Sequence, residues 1–195
     1  MNRRELLRAL GAAALLPPLS GLSPGRLVAT GRRMHRRARS RDFQVLDPHQ
    51  SETVATIAEL IIPATDTPGA RAAQVDRFID LLLAEWATDD DRATFLKGLA
   101  DVDARAHAAF GTDFLTATEA QRVTLLTQLD GEAQERHTAT ANAQPPFFQR
   151  MKFLAVFGYC TSEVGATAEL RYQTIPGSYD PCTELGRWRA APGDY

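Results

Sequence analysis

Residues 72–86, Ala-Ala-Gln-Val-Asp-Arg-Phe-Ile-Asp-Leu-Leu-Leu-Ala-Glu-Trp, set the fold class. Val75, Phe78, Ile79, Leu82, Leu83 and Trp86 recur at the three- and four-residue spacing of one helical face. The same period continues on both sides. Upstream, Asp47-Pro48 offers an N-cap with proline at the first helical position, Val54, Ile57, Ala58 and Ile61 follow on one face, and Pro63 ends the helix. The segment 63–69, Pro-Ala-Thr-Asp-Thr-Pro-Gly, reads as a rigid turn-rich loop.

Downstream, Thr88 and Asp89-Asp90-Asp91 open a third helix, because acids complement the positive end of the helix dipole. It carries Phe95, Leu99, Val102 and Ala106 and stops at Phe110-Gly111, where glycine suits the C-terminal cap. Thr116 and Glu119 make a capping box for a fourth helix with Val123, Leu126 and Leu129. Residues 138–146 form a loop, and a fifth helix runs from Pro146 to about Cys160 with Phe147, Met151, Leu154 and Ala155 on one face. Beyond Leu170 the chain turns irregular. The expectation is an all-α, single compact domain of about five helices with a long irregular C-terminal tail.

The N-terminus is of another kind. Arg3-Arg4 followed by Leu6-Leu7 and an apolar run from Ala9 to Leu22 has the layout of a twin-arginine export signal. Pro17-Pro18 breaks the run before the roughly 20 residues that a spanning helix needs. Ala29-Thr30-Gly31 has small residues at spacing suited to cleavage. Residues 1–41 hold ten arginines and one acid, Glu5, so residues 42–195 hold 12 basic and 23 acidic side chains, a net charge of about −11. The basic block beside an export signal reads as a solvated leader, which divides the chain into a leader at 1–41 and a helical domain at 42–195. So acidic a domain repels phosphates, which argues against nucleic acid as a partner.

Chemistry-bearing patterns are sparse. His35 sits in the leader, His49, His107 and His137 lie on polar helical stretches, and none is spaced for a metal. The sequence contains no Cys-x-x-Cys-His or Gly-x-Gly-x-x-Gly, and its one Gly-x-Ser-x-Gly, Gly21-Leu-Ser-Pro-Gly25, carries a proline and follows an apolar run rather than the strand that a nucleophile elbow needs. Asp89, Asp90 and Asp91 are contiguous, so they point in different directions and read as capping rather than ligation. No catalytic residue, metal or cofactor is expected on this chain. Cys160 and Cys182 suit an oxidising compartment. An intrachain bridge would close a loop of about 20 residues and stabilise the tail by roughly 3 kcal/mol; a bridge to another subunit is the alternative. Glu163 and Glu169 bracket Gly165 near Arg171 and Tyr172, as either a buried ion pair or a partner-facing patch. Tyr159, Tyr172, Tyr179 and Trp188 lie among or beside irregular sequence, and aromatic and arginine side chains are what interface cores favour.

Four stretches carry a resemblance: Leu60-Ile-Ile-Pro-Ala-Thr-Asp-Thr-Pro-Gly-Ala70, Val75-Asp-Arg-Phe-Ile-Asp80, Gly158-Tyr-Cys-Thr-Ser-Glu-Val-Gly-Ala-Thr-Ala-Glu-Leu-Arg-Tyr172 and Pro176-Gly-Ser-Tyr-Asp180. In that order, over about residues 47–185, the chain resembles the gluconate 2-dehydrogenase subunit 3 family, the small subunit of membrane-associated, flavin-dependent sugar and polyol dehydrogenases. The resemblance implies a non-catalytic subunit. It would mature and escort, through the twin-arginine translocase, a large subunit of the glucose-methanol-choline oxidoreductase type that holds FAD. A multihaem cytochrome c is a possible third member, and the complex would be periplasmic and membrane-associated. On their residue types, Tyr159, Glu163, Arg171, Tyr172, Tyr179 and Trp188 are the candidate partner interface; the resemblance marks Cys160 as a departure where many relatives carry tyrosine. The competing readings are a self-contained periplasmic enzyme using carboxylates such as Glu163 and Glu169, and a free-standing exported helical protein.

Overall fold

The computed structural model describes residues 24–38, 42–139 and 145–170, and Arg3, Arg4, Leu6 and Leu7, the residues expected to form an export signal, lie outside that set. The described residues form six α-helices, and no strand occurs among them: α1 Pro24–Ala38, α2 Pro48–Ile61, α3 Val75–Glu85, α4 Asp89–Phe110, α5 Glu119–Ala139 and α6 Phe147–Thr161. A short π-helical turn, Gly165–Glu169, follows. The all-α expectation holds.

The organising element is α6, which packs against all five other helices and the π-turn. Its sequence explains this. Phe148, Met151, Leu154, Ala155, Phe157, Gly158 and Tyr159 are all buried and cover more than half of the helix circumference, and a helix with so wide a buried face must be packed by several neighbours. Phe78 of α3 meets Phe157 edge-on at 5.7 Å, and Phe95 of α4 meets Phe147 at 5.3 Å, so aromatic pairs fasten α6 on two sides. Burying each such side chain contributes about 1.5–3 kcal/mol.

Helix boundaries follow local chemistry. Asp47 accepts from the Gln50 amide while the Gln50 side chain accepts from the Asp47 amide, a reciprocal cap that starts α2. Thr88 caps α4 through the Asp91 amide, and Gly111 closes it with φ of 73°. Asp91 also receives the buried Arg150 guanidinium at 2.6 Å. Burial pushes the Asp91 carboxyl up, but the Thr88 hydroxyl and Arg150 together hold it below its ordinary range. The acidic triplet is therefore a capped and ion-paired helix start.

Two boundaries depart from expectation. The helix expected from Ala72 begins at Val75, because Gln74 sits in the left-handed region at φ 54°, ψ 46° after a turn in which the Gln74 amide donates to Arg71 O. The cap of α5 is Thr118 with Gln121, not Thr116 with Glu119. Thr116 is occupied by Asp113, whose carboxylate accepts from its amide at 2.7 Å and its hydroxyl at 2.9 Å.

The largest correction concerns the basic leader. Residues 24–38 are a helix packed on α3 and α6, so the folded body extends upstream of residue 42. Met34, His35 and Ala38 are buried, and Gly31 lies so close to Thr161 that a β-carbon there would come within 2.5 Å of the Thr161 Cβ. His35 is no solvated leader residue. Its ring stacks on Phe78 at 4.3 Å and its Nε2 donates to Gly158 O at 2.6 Å. The cleavage candidate Ala29-Thr30-Gly31 falls inside this helix. Arginine is a good helix former, and basic side chains near a helix C-terminus complement its dipole, so the positive charge is no obstacle to helix formation.

Residues 42–46 cross from α1 to α2 without regular structure. They are held by Asp80 of α3, whose buried carboxylate accepts from the amides of Gln44, Val45 and Leu46 at 2.9, 2.9 and 2.8 Å.

Candidate partner-facing site

The loop between α2 and α3 is exposed yet tightly tied. Pro63, Ala64, Thr65, Asp66 and Pro68 face solvent. Beneath them Glu59, on the last turn of α2, accepts from the Ala64 amide at 3.0 Å and the Arg71 amide at 2.8 Å, bracketing the loop with one carboxylate. The Glu59 carboxylate lies directly against Gly69, where a β-carbon would displace it. The Ala70 amide donates to Ile62 O at 3.0 Å and closes the loop at its base. Arg71 turns outward to Glu52, with contacts of 2.6 and 3.3 Å, and to the Thr56 hydroxyl at 2.8 Å.

The end of α6 meets this loop. The Tyr159 hydroxyl donates to Pro68 O at 2.8 Å, and the Thr67 hydroxyl donates to Glu169 at 2.8 Å. Burial pushes the Tyr159 phenol up, so it stays protonated as that donor. Ser162 is fully buried; its hydroxyl donates to Tyr159 O at 2.7 Å and accepts from the Gly165 amide at 2.9 Å, which turns the chain into the π-turn. Gly165 crosses the Tyr159 carbonyl too closely for any side chain. Two stretches about a hundred residues apart thus form one rigid exposed edge, with Asp66, Glu163, Thr167 and Glu169 on the surface.

This placement sorts the expected site residues. Glu163 and Glu169 are exposed, so the buried-ion-pair alternative does not hold. Tyr159 is only 4% exposed and is used within the chain's own core, which corrects its expected place as a surface anchor: it supports the edge from beneath. Cys160 is half-buried, and burial, reinforced by the Glu169 charge, pushes its thiol up. Cys182, Arg171, Tyr172, Tyr179 and Trp188 lie outside the described residues. Among the described residues no cluster of histidine, cysteine and carboxylate has the makings of a metal site, and no helix is long and apolar enough to cross a membrane.

Beside this edge lies a feature that sequence reasoning missed. Leu60 and Ile61 of α2, Val123 and Leu126 of α5 and Phe148 of α6 line an open groove of about 270 Å³. Asp130 and Lys152 close one rim with an ion pair of 2.7 Å. Val123 is 46% exposed there, whereas periodicity assigned it to the core. The groove and the loop share the C-terminal turn of α2, so an apolar surface and a polar edge adjoin.

Rigidity of the loop is testable. Glu59→Ala is expected to speed hydrogen exchange at the Ala64 and Arg71 amides by at least about tenfold, since each bond to a charged acceptor contributes roughly 1.5–3 kcal/mol. Exchange within α6 should stay slow. Unchanged exchange at both amides would show that Glu59 does not hold the loop.

A family model, gluconate 2-dehydrogenase subunit 3, matches residues 48–177. No curated protein and no solved structure matches the chain.

Proposed function

Because this chain belongs to the gluconate 2-dehydrogenase subunit 3 family, we propose that it is a non-catalytic small subunit of a dehydrogenase complex, which binds, matures and escorts an FAD-containing large subunit. The observation that carries this reading is the meeting of the 60–70 and 158–170 stretches in one exposed edge beside an apolar groove. A loop fixed by Glu59, Tyr159 and Glu169 loses little conformational freedom when a partner closes over it, and that pre-organisation strengthens association. Obligate partners commonly bury more than 2,000 Å², so the groove and the edge would be parts of a larger interface.

On this reading the Arg3-Arg4 signal serves the complex. The twin-arginine route carries folded proteins, and this chain supplies the address for a flavoprotein folded beside it. Flavin, sugar specificity and hydride chemistry reside in the large subunit, of the glucose-methanol-choline type; a multihaem cytochrome c would take the electrons onward at the periplasmic face of the membrane.

The test is co-expression with such a large subunit. The flavoprotein should co-purify with this chain and reach the periplasm, and replacing both Arg3 and Arg4 with Lys should leave both proteins in the cytoplasm. A flavoprotein that is still exported from the lysine variant would overturn the escort reading. Flavin absorbance or sugar oxidation by the isolated 21.4 kDa chain would overturn the non-catalytic one.

A further inference from the structure

The arginines of α1 have no part in the reading above. Gly31, Met34, His35 and Ala38 occupy one face of the helix at i, i+3, i+4 and i+7 and pack into the core. Arg26, Arg33 and Arg37 fall at i, i+7 and i+11 on the opposite face, with Arg36 beside them, and all four are exposed. Arg37 reaches Glu85 of α3 at 2.8 Å with its side chain still 50% exposed. The face cannot rotate away, because the stacking of His35 on Phe78 and its bond to Gly158 O fix the helix about its axis.

We infer that this face of α1 is a docking surface for an anionic lipid bilayer. Charge complementarity is the first argument. Residues 42–195 carry about −11, so a fixed basic face on an acidic body gives the molecule a strong charge asymmetry, and an anionic surface attracts only the α1 side. The second argument selects a bilayer among anionic partners. The apolar run Ala9–Leu22 ends one residue, Ser23, before α1 begins. A membrane that takes up the apolar run is brought within reach of α1, a 15-residue helix about 22 Å long, and of the arginines on its exposed face. The basic face and the apolar run are thereby two adjoining signals for one surface, the combination that stable membrane association requires. The inference does not depend on a flavoprotein partner.

The test uses the full chain and sedimentation with two vesicle types, pure phosphatidylcholine and phosphatidylcholine containing about one-third phosphatidylglycerol. The wild type should prefer the anionic vesicles at about 0.1 M salt, and the preference should collapse near 1 M, where screening reaches about 3 Å. The double variant R33Q/R36Q should bind anionic vesicles about thirty-fold more weakly, from about 1 kcal/mol per arginine near the surface. It should bind pure phosphatidylcholine as the wild type does. Thermal unfolding of the variant should match the wild type, since both side chains are on the surface; a large loss of stability would itself contradict their placement on that face. Equal binding of wild type and variant to anionic vesicles would overturn the inference and leave the apolar run as the sole anchor. If the variant instead loses only its flavoprotein partner, the face belongs to a protein interface and the lipid assignment is wrong.

Discussion

Asp80→Ala is expected to destabilise the chain by about 4 kcal/mol, a large share of the roughly 5–15 kcal/mol that holds a domain of this kind together. The carboxylate is 4% exposed and is the acceptor for three consecutive amides, those of Gln44, Val45 and Leu46. Alanine leaves all three without it. A buried donor stripped of its acceptor costs about 1–3 kcal/mol, and water can relieve only the outer two, because Leu46 is buried. Asp80→Asn should fall between. Its carbonyl can keep the place of the oxygen shared by Val45 and Leu46, but its amide group then faces the Gln44 donor. Urea unfolding of the three proteins should therefore rank Asp, Asn, Ala. A loss below about 1 kcal/mol in the alanine variant would show that residues 42–46 are held by something else.

Phe78→Ala should have an effect of similar size, about 3–5 kcal/mol, the usual cost of emptying a fully buried aromatic site. Its distinguishing consequence is local. Phe78 stacks on His35, meets Phe157 edge-on and lies against Gly158, so it is the surface on which α1 sits. Without it α1 should detach before the rest of the core opens. Trypsin supplies the readout, because proteases need extended backbone and α1 is rich in arginine. The variant should be cut after Arg32, Arg33, Arg36 or Arg37 under conditions where α6 stays protected. Val123→Ala, at a side chain 46% exposed, should change stability by no more than about 0.5 kcal/mol. Cleavage of α1 at the same rate as the core would show that the helix has no separate latch.

These positions also show what the sequence made legible. The starts of α2 and α4 and the end of α4 were readable because their caps use side chains within three residues of the boundary: Asp47 with Gln50, Thr88 with Asp91, and Gly111. Thr116 misled because Asp113, also three residues away, competes for it. Helix α6 was found from one apolar face, but its role was not, since so wide a buried face blurs the period that marks a single side. Helix α1 was hidden differently. Among the residues whose burial is described, its buried face is Gly31, Met34, His35 and Ala38, and of these only Met34 is large and apolar. Ten arginines upstream of residue 42 outweighed it. The two long motifs were visible separately, but the sequence gives no distance between them. Tyr159 with Pro68 and Thr67 with Glu169 join residues 91 and 102 apart. Glu59 had no signal at all, because a clamp for backbone amides looks from sequence like any solvated glutamate.

The central position of α6 has a consequence for timing during synthesis. Every other helix packs against it, so the native core stays incomplete until residues 147–161 have left the ribosome. Arg3 and Arg4 precede α6 by about 140 residues, so at about 5–20 residues per second the N-terminal segment is made on the order of ten seconds before the body can close. Anything that reads Arg3 and Arg4 in that interval would meet an unfinished chain. The proposed export route, which demands a folded cargo, would then have to wait until α6 has been made.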